Sequence, residues 1–139
     1  MSMNYEELTF KRNHQGGHMQ DMGMEIIEIK KGYSKGHMHI EERMRNPYGA
    51  IHGGVMFSFA DTVGGSAALS SGFAHVTSTG TINYLRPTTR STEIYAIATE
   101  IKMGKTLSTF NVDIKDEHDR LVAQAVMTYY NMGQAVDYL

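Results

Sequence analysis

The amino-acid sequence predicts an α+β fold in which one long buried helix is wrapped by a curved antiparallel sheet of five to six strands. Three observations carry this expectation. Residues 53–70 are apolar around the whole helical wheel and hold one formal charge, Asp61. Segments before and after them alternate apolar and polar residues with a period of two, the signature of half-buried strands. Gly, Pro and Asn cluster between those segments, where turns need them. A helix that is apolar on all sides is buried, and a lone one escapes water only if a sheet curves around it.

The elements follow in chain order. Residues 1–20 are polar and contain Asn13-His14-Gln15-Gly16-Gly17-His18; Tyr5, Leu8 and Phe10 fit a short helix or an arm. Residues 21–139 are expected to form the domain proper. Ile27 and Ile29 alternate with Glu28 and Lys30, Lys31-Gly32 begins a turn, and Met38 and Ile40 then oppose His37, His39 and Glu41. That pattern is a hairpin. Asn46-Pro47-Tyr48-Gly49 reads as a loop, since Asn-Pro initiates turns. In the helix after it, Val55, Met56, Phe57, Phe59, Ala60, Val63, Ala67, Ala68 and Leu69 leave no polar side, and Gly64-Gly65 permits close approach to a neighbour. Strands are expected over 76–85, 93–101, around Phe110, Val112 and Ile114, and over 121–129. Short spacings between them suggest a four-strand antiparallel meander.

A chain of 139 residues is one domain long and can bury roughly two-thirds of its unfolded surface. Hydrophobic residues at 41% and charged residues at 20% fit a globular chain rather than a disordered one. Thirteen basic against fifteen acidic side chains give a formal charge of −2, so no basic field exists to attract nucleic acid or an anionic membrane. With no cysteine, disulfides, zinc-thiolate sites and cysteine nucleophiles are excluded. Residues 1–10 carry Glu6 and Glu7 and lack the apolar core of a secretory leader. No run reaches the ~20 apolar residues of a spanning helix. A cytoplasmic location is expected.

Several residues could carry chemistry. The helix start, Gly49-Ala50-Ile51-His52-Gly53-Gly54, presents backbone N–H groups at a positive helix end, where a carbonyl or an oxyanion can be held. The same glycines also serve a tight loop-to-helix turn. Asp61 is a carboxylate in an apolar helix, which is costly unless it is paired or functional; a structural bond to Ser58, Thr62 or a backbone group is the alternative. Gly53 and Asp61 are eight residues apart, about 12 Å along a helix, whereas a catalytic group works at about 3 Å. One reacting carbonyl cannot meet both within a chain, so either one is irrelevant or the site combines two subunits. His52 could bond a substrate oxygen or leaving group, or cap the helix. Asn46 could present its amide, or set the turn before Pro47. Thr77, Ser78 and Thr79 place hydroxyls on the next strand. His37 with His39, and His14 with His18, lack third and fourth ligands at motif spacing, so no metal site is expected. Arg86, Arg90, Lys102 and Lys105 sit near strand ends, as anion contacts or as solvated turn charges.

Taken together, Asn46-x-x-Gly49-x-x-His52-Gly53-Gly54 followed by Ala60-Asp61, with Ile82-Asn83-Tyr84-Leu85-Arg86-Pro87 and Leu121-Val122-Ala123, resembles the signature of hotdog-fold acyl-CoA thioesterases, nearest the PaaI-type branch. The resemblance covers residues 24–130 and omits the first 20. It implies a homodimer or homotetramer with sites at the dimer interface. It also implies that Gly53 offers its N–H to the thioester carbonyl, that Asn46 and His52 line the same pocket, and that Asp61 comes from the partner as general base or nucleophile. Thr77 matches a hydroxyl position that holds water. Gly54, Phe57, Arg86, Arg90 and Lys105 are the expected substrate contacts, with coenzyme A as part of the substrate and no metal or redox cofactor required. Met56, Phe57, Phe59 and the tyrosines suit aromatic or aliphatic acyl groups. The same fold also hosts acyl-thioester hydratases and dehydratases, and a non-catalytic acyl-CoA-binding module is a further alternative, although that would not require a buried Asp61.

Overall fold

The computed structural model describes residues 3–136. Helix α1 (Tyr5–Arg12) opens the chain. Asn4 caps it by accepting from Glu7 N at 3.0 Å, and acidic residues in the first turn with basic ones in the last complement the helix dipole. A short helix α2 (Gly17–Asp21) follows. The segment expected as an arm or short helix is therefore helical, and its Leu8 is buried in the core.

Strands β1 (Met24–Lys30) and β2 (Tyr33–His39) form the expected hairpin. The phase of β1 differs from the expectation. Ile26 and Ile29 are buried while Ile27 is 44% exposed, because a bulge between Ile26 and Glu28 inserts one residue and resets which side chains face inward. After a 3-10 turn (Glu42–Met44), α3 (Gly53–Leu69) crosses the concave face of the sheet. The remaining strands are β3 (Phe73–Tyr84), β4 (Glu93–Met103), β5 (Leu107–Asp116) and β6 (Leu121–Ala135).

The six strands form one antiparallel sheet in the order β1-β2-β4-β5-β6-β3. Here the four-strand meander needs correction: β4, β5 and β6 are consecutive neighbours, but β3 pairs with β6 and not with β4. The connection 85–92 explains the difference. Leu85 N donates to Val122 O at 2.8 Å, and buried Thr88 accepts from Ile51 N at 3.0 Å. These bonds lead the chain away from β3 toward β2, where Met38 pairs with Ile94.

The core lies between α3 and the sheet. Phe59, Val63 and Ala67 meet a floor that includes Ile94, Ala96, Ala98, Phe110, Val112, Ile114, Ala125 and Met127, all fully buried. Each large apolar side chain buried there contributes about 1.5–3 kcal/mol. Small residues set the depth of the helix. A Cβ at Gly36 of β2 would lie 2.6 Å from Val63 Cγ2, and one at Gly64 would strike the Tyr129 hydroxyl. Ser70 closes the helix by donating to Ala67 O at 2.6 Å and accepting from Gly32 N at 2.8 Å.

The helix, expected to be apolar on every side, has a small and polar outward stripe. The outward stripe of α3 is Gly54, Ser58, Asp61, Thr62 and Gly65, small or polar and only partly or fully exposed. His18 of α2 contacts Ser58, and Arg12 of α1 donates to Ser66 Oγ at 3.0 Å. Exposed apolar residues lie on β3 and just past it (Phe73, Val76, Tyr84 and Leu85), at Ile101, Leu107, Tyr130 and Met132 of β4–β6, and at Phe10, Ile27 and Tyr48. The two sheet edges also differ. On β1, the Asn13 side chain accepts from Ile26 N at 2.7 Å and donates to Ile26 O at 2.9 Å. On β3 the outer edge has no strand partner among the described residues.

Candidate active site

The loop before α3 is built around Asn46. Its side-chain oxygen accepts from Tyr48 N at 2.9 Å and Ala50 N at 3.1 Å, and Gly49 takes φ +84°, a backbone region glycine enters without a Cβ clash. Arg45 bolts this loop to the β3–β4 connection by donating to Gly49 O at 2.9 Å, Thr88 O at 3.1 Å and Ser91 O at 2.6 Å. Such bonding to the Asn46 oxygen leaves its amide nitrogen without a hydrogen bond among the described residues.

His52 is the N-cap of α3, with Nδ1 accepting from Gly54 N at 2.9 Å. An imidazole that accepts at Nδ1 carries its proton at Nε2 when neutral, so the cap also sets which nitrogen can donate outward. Gly53 N–H has no partner among the described residues. The Gly53 carbonyl accepts from Tyr84 Oη at 2.7 Å, and a Cβ at Gly53 would lie 2.9 Å from that same oxygen. A cavity of about 270 Å³ opens here, lined by Asn46, Gly53, Met56, Tyr84, Arg86 and Val122 among others. It combines an apolar wall with an open helix N-terminus, an arrangement that can hold a carbonyl oxygen while charge develops on it.

Asp61 lies two turns further along α3, and Thr77 on β3 donates to its Oδ1 at 2.6 Å. Tyr129 Oη donates to the Asp61 backbone carbonyl at 2.8 Å. Burial, and then the nearby Asp61 charge, push the Tyr129 phenol well above its ordinary range, so it remains a proton donor. Asp61 and Thr77 border a second cavity of about 290 Å³, shared with Arg12, Thr62, His75 and Tyr129. Asp61 is partly exposed rather than buried.

The sequence-predicted residues therefore fall into separate groups. Asn46, His52, Gly53, Gly54 and Arg86 gather at the helix start, and Arg90 lies beside Arg86 in an adjoining cavity. Asp61 and Thr77 form the second group. Phe57 is wedged between α3 and β3, where a Cβ at Gly80 would lie 2.8 Å from its ring. Lys105 sits in the β4–β5 turn beside Thr106, which accepts from Asn131 N; β6 brings Asn131 next to His75 of β3. Lys105 is thus at the Thr77 end of the sheet, away from Arg86 and Arg90. Sequence reasoning did not single out Tyr84, Arg45 or Arg12. Tyr84 stands within the Ile82–Pro87 motif, which was the available signal. Arg45 and Arg12 act through partners more than 40 positions away, which no local pattern reports. Among the described residues no cluster of three His, Cys, Asp or Glu side chains could hold a metal.

A curved six-stranded antiparallel sheet around one long helix, with an open helix start and a carboxylate on the helix, defines a hotdog-fold thioesterase. The thioesterase superfamily profile matches residues 48–123, and the chain belongs to that superfamily, in its PaaI-type branch. The acyl-coenzyme A thioesterase PaaI of Escherichia coli is 32% identical over 102 residues, covering 73% of each chain. The structure of E. coli PaaI superposes with a TM-score of 0.86 at 26% identity, covering 95% of this chain and 99% of that one. Smu.793 from Streptococcus mutans, solved bound to acetyl CoA, gives a TM-score of 0.77 at 25% identity, covering 81% and 90%. No helix among the described residues is long and apolar enough to cross a membrane.

Proposed function

We propose that this protein hydrolyses the thioester of a small aromatic or aliphatic acyl-CoA to the free acid and coenzyme A, at a site shared between two copies of the chain. The observation that carries the reading is the Thr77–Asp61 hydrogen bond of 2.6 Å beside an open cleft, two helical turns from the unpartnered Gly53 N–H. Separation by about 12 Å along one helix supports a geometry in which Gly53 of one copy and Asp61 of another flank the same thioester. The open, apolar edge of β3, which carries Thr77, is the surface suited to bring two copies together.

In this site the thioester oxygen lies at Gly53 N–H, with the Asn46 amide and the outward Nε2–H of His52 as neighbouring donors. Asp61 drives attack on the thioester carbon, as base toward water or as the nucleophile itself. Thr77 occupies Oδ1 and leaves Oδ2 for that task. Attack moves negative charge to oxygen, where the helix start stabilises it. Collapse then breaks the carbon–sulfur bond. On the base route the proton that Asp61 took from water passes to the departing thiolate. On the nucleophile route the thiolate takes its proton from water, and a water then hydrolyses the acyl-Asp61 anhydride, releasing the acid and restoring the carboxylate. Water is the only co-substrate. Similarity to the E. coli acyl-coenzyme A thioesterase PaaI and to Smu.793, solved bound to acetyl CoA, supports coenzyme A as the carrier.

The direct test is thiol release from a panel of aromatic and aliphatic acyl-CoAs, with product acids identified by mass spectrometry. Release of thiol with an unaltered acyl chain is the expected result. An acyl chain hydrated or dehydrated while still attached to coenzyme A would replace hydrolysis with the other chemistry of this fold.

A further inference from the structure

The cleft around Asp61 holds one group that the hydrolysis described above leaves without a task. His75 lies on β3 two residues before Thr77, and the pairing of His75 with Asn131, Val76 with Tyr130 and Thr77 with Tyr129 is unbroken. Alternate residues of a strand share a face, so the imidazole stands on the same side as the Thr77 hydroxyl that bonds Asp61. Half-buried, it lines the cavity of about 290 Å³ together with Asp61, Thr62, Gly65 and Thr77.

Its tautomer is set by the backbone. His75 Nδ1 lies 2.8 Å from Phe73 O, and a carbonyl oxygen only accepts, so Nδ1 carries the proton and donates. Nε2 of the neutral ring is then an acceptor, and it has no hydrogen bond among the described residues. His52 is the reverse case, with Nδ1 accepting from Gly54 N. Apart from Asp61, no other described side chain lining the cleft can take a proton from water. Arg12 carries a permanent cation without an acceptor. The Thr62 and Thr77 hydroxyls are weak bases, and Thr77 already donates to Asp61. Burial keeps the Tyr129 phenol protonated.

We propose that His75 is a second base of this site, removing a proton from the water that hydrolyses an acyl-Asp61 anhydride. This rests on the thioesterase reading and commits it to the nucleophile route. Asp61 Oδ2 bonds the acyl carbon, the carbon–sulfur bond breaks, and the thiolate takes a proton from water. Acylated Asp61 can no longer act as a base. His75 Nε2 takes one proton from a second water while the oxygen of that water bonds the acyl carbon. The bond from that carbon to Oδ2 breaks, its electron pair restores the carboxylate, and the free acid departs. The proton on His75 returns to solvent and replaces the one taken by the thiolate. The reach is adequate. Residues two apart on a strand are separated by about 7 Å, and a water bonded on both sides spans roughly 5–6 Å.

His75→Gln keeps a polar side chain and removes the base. Mixed rapidly with an acyl-CoA that wild-type protein hydrolyses, it should release about one thiol per subunit in a burst. Turnover after the burst should be at least about 100-fold slower than wild type. The intact mass of the protein should rise by the acyl group, and the added mass should map to the peptide that contains Asp61. His75→Ala should behave alike, with turnover partly recovered by added imidazole, a response that a merely structural residue would not give. The double variant Asp61→Asn, His75→Gln should show no burst. Wild-type turnover in both single variants, or slow turnover without burst and without acyl mass, would overturn the proposal and leave the hydrolysis reading standing. Wild-type protein that releases no thiol from any acyl-CoA would overturn both.

Discussion

Asp61 is held at three points: its carboxylate by Thr77, its backbone carbonyl by Tyr129, and its Cα by a helix packed onto the sheet. An acid–base group so positioned contributes ~100-fold or more to rate. Asp61→Asn should therefore lower kcat by at least about 100-fold with a smaller change in KM, and wild-type turnover in that variant would remove Asp61 from the mechanism. The residue was legible in the sequence because one charge in an apolar helix is conspicuous. Asn46, His52 and Gly53 were legible through their spacing. Of the two readings of His52, the cap is met at Nδ1, and Nε2 is left open for the proposed substrate contact. Tyr84 and Arg45 were not assigned, because their roles consist of bonds to Gly53 and to the 85–92 connection, and these exist only after the sheet has closed.

At the level of elements, two contacts set the position of α3 and the shape of the β5–β6 turn. Gly64 lets the helix settle against the Tyr129 hydroxyl, so Gly64→Ala must displace the tyrosine that bonds Asp61. Overpacking of this kind costs about 1–3 kcal/mol, visible as a lower urea midpoint at unchanged slope; an unshifted midpoint would show that the helix can move aside. In the turn, burial alone would raise the Asp116 carboxyl, but the Arg120 and His118 donors outweigh it and bring it below the ordinary range. A carboxyl lower in the folded than in the unfolded state stabilises above its unfolded value, about 3.9, and that contribution fades as pH falls through the folded value. Wild-type stability should therefore fall more steeply than that of Asp116→Asn on acidification below about pH 5, as followed by urea midpoints. Parallel acid profiles would contradict the assignment. Strand periodicity foretold the hairpin and the burial of β5 and β6. It missed the β1 bulge, which shifts phase without altering composition, and the departure of β4 from β3, which depends on Thr88 reaching Ile51.

For the whole molecule, the two sheet edges make the case for assembly. Asn13 satisfies the β1 backbone at Ile26, whereas β3 offers an open edge flanked by Phe73, Val76 and Tyr84. The proposed second copy would pair along this open strand edge, whose position was invisible before the strand order was known. Two-fold pairing through β3 would let Asp61 of one copy approach Gly53 of the other. The most direct test is complementation between two inactive proteins, Asp61→Ala and Gly53→Val. Each mixed dimer would hold one site with both elements intact and one with neither. An equal mixture, after subunit exchange is confirmed by mass spectrometry, should recover about a quarter of wild-type thiol release under random two-fold pairing. A fully exchanged mixture no more active than its separate parents would contradict the shared site.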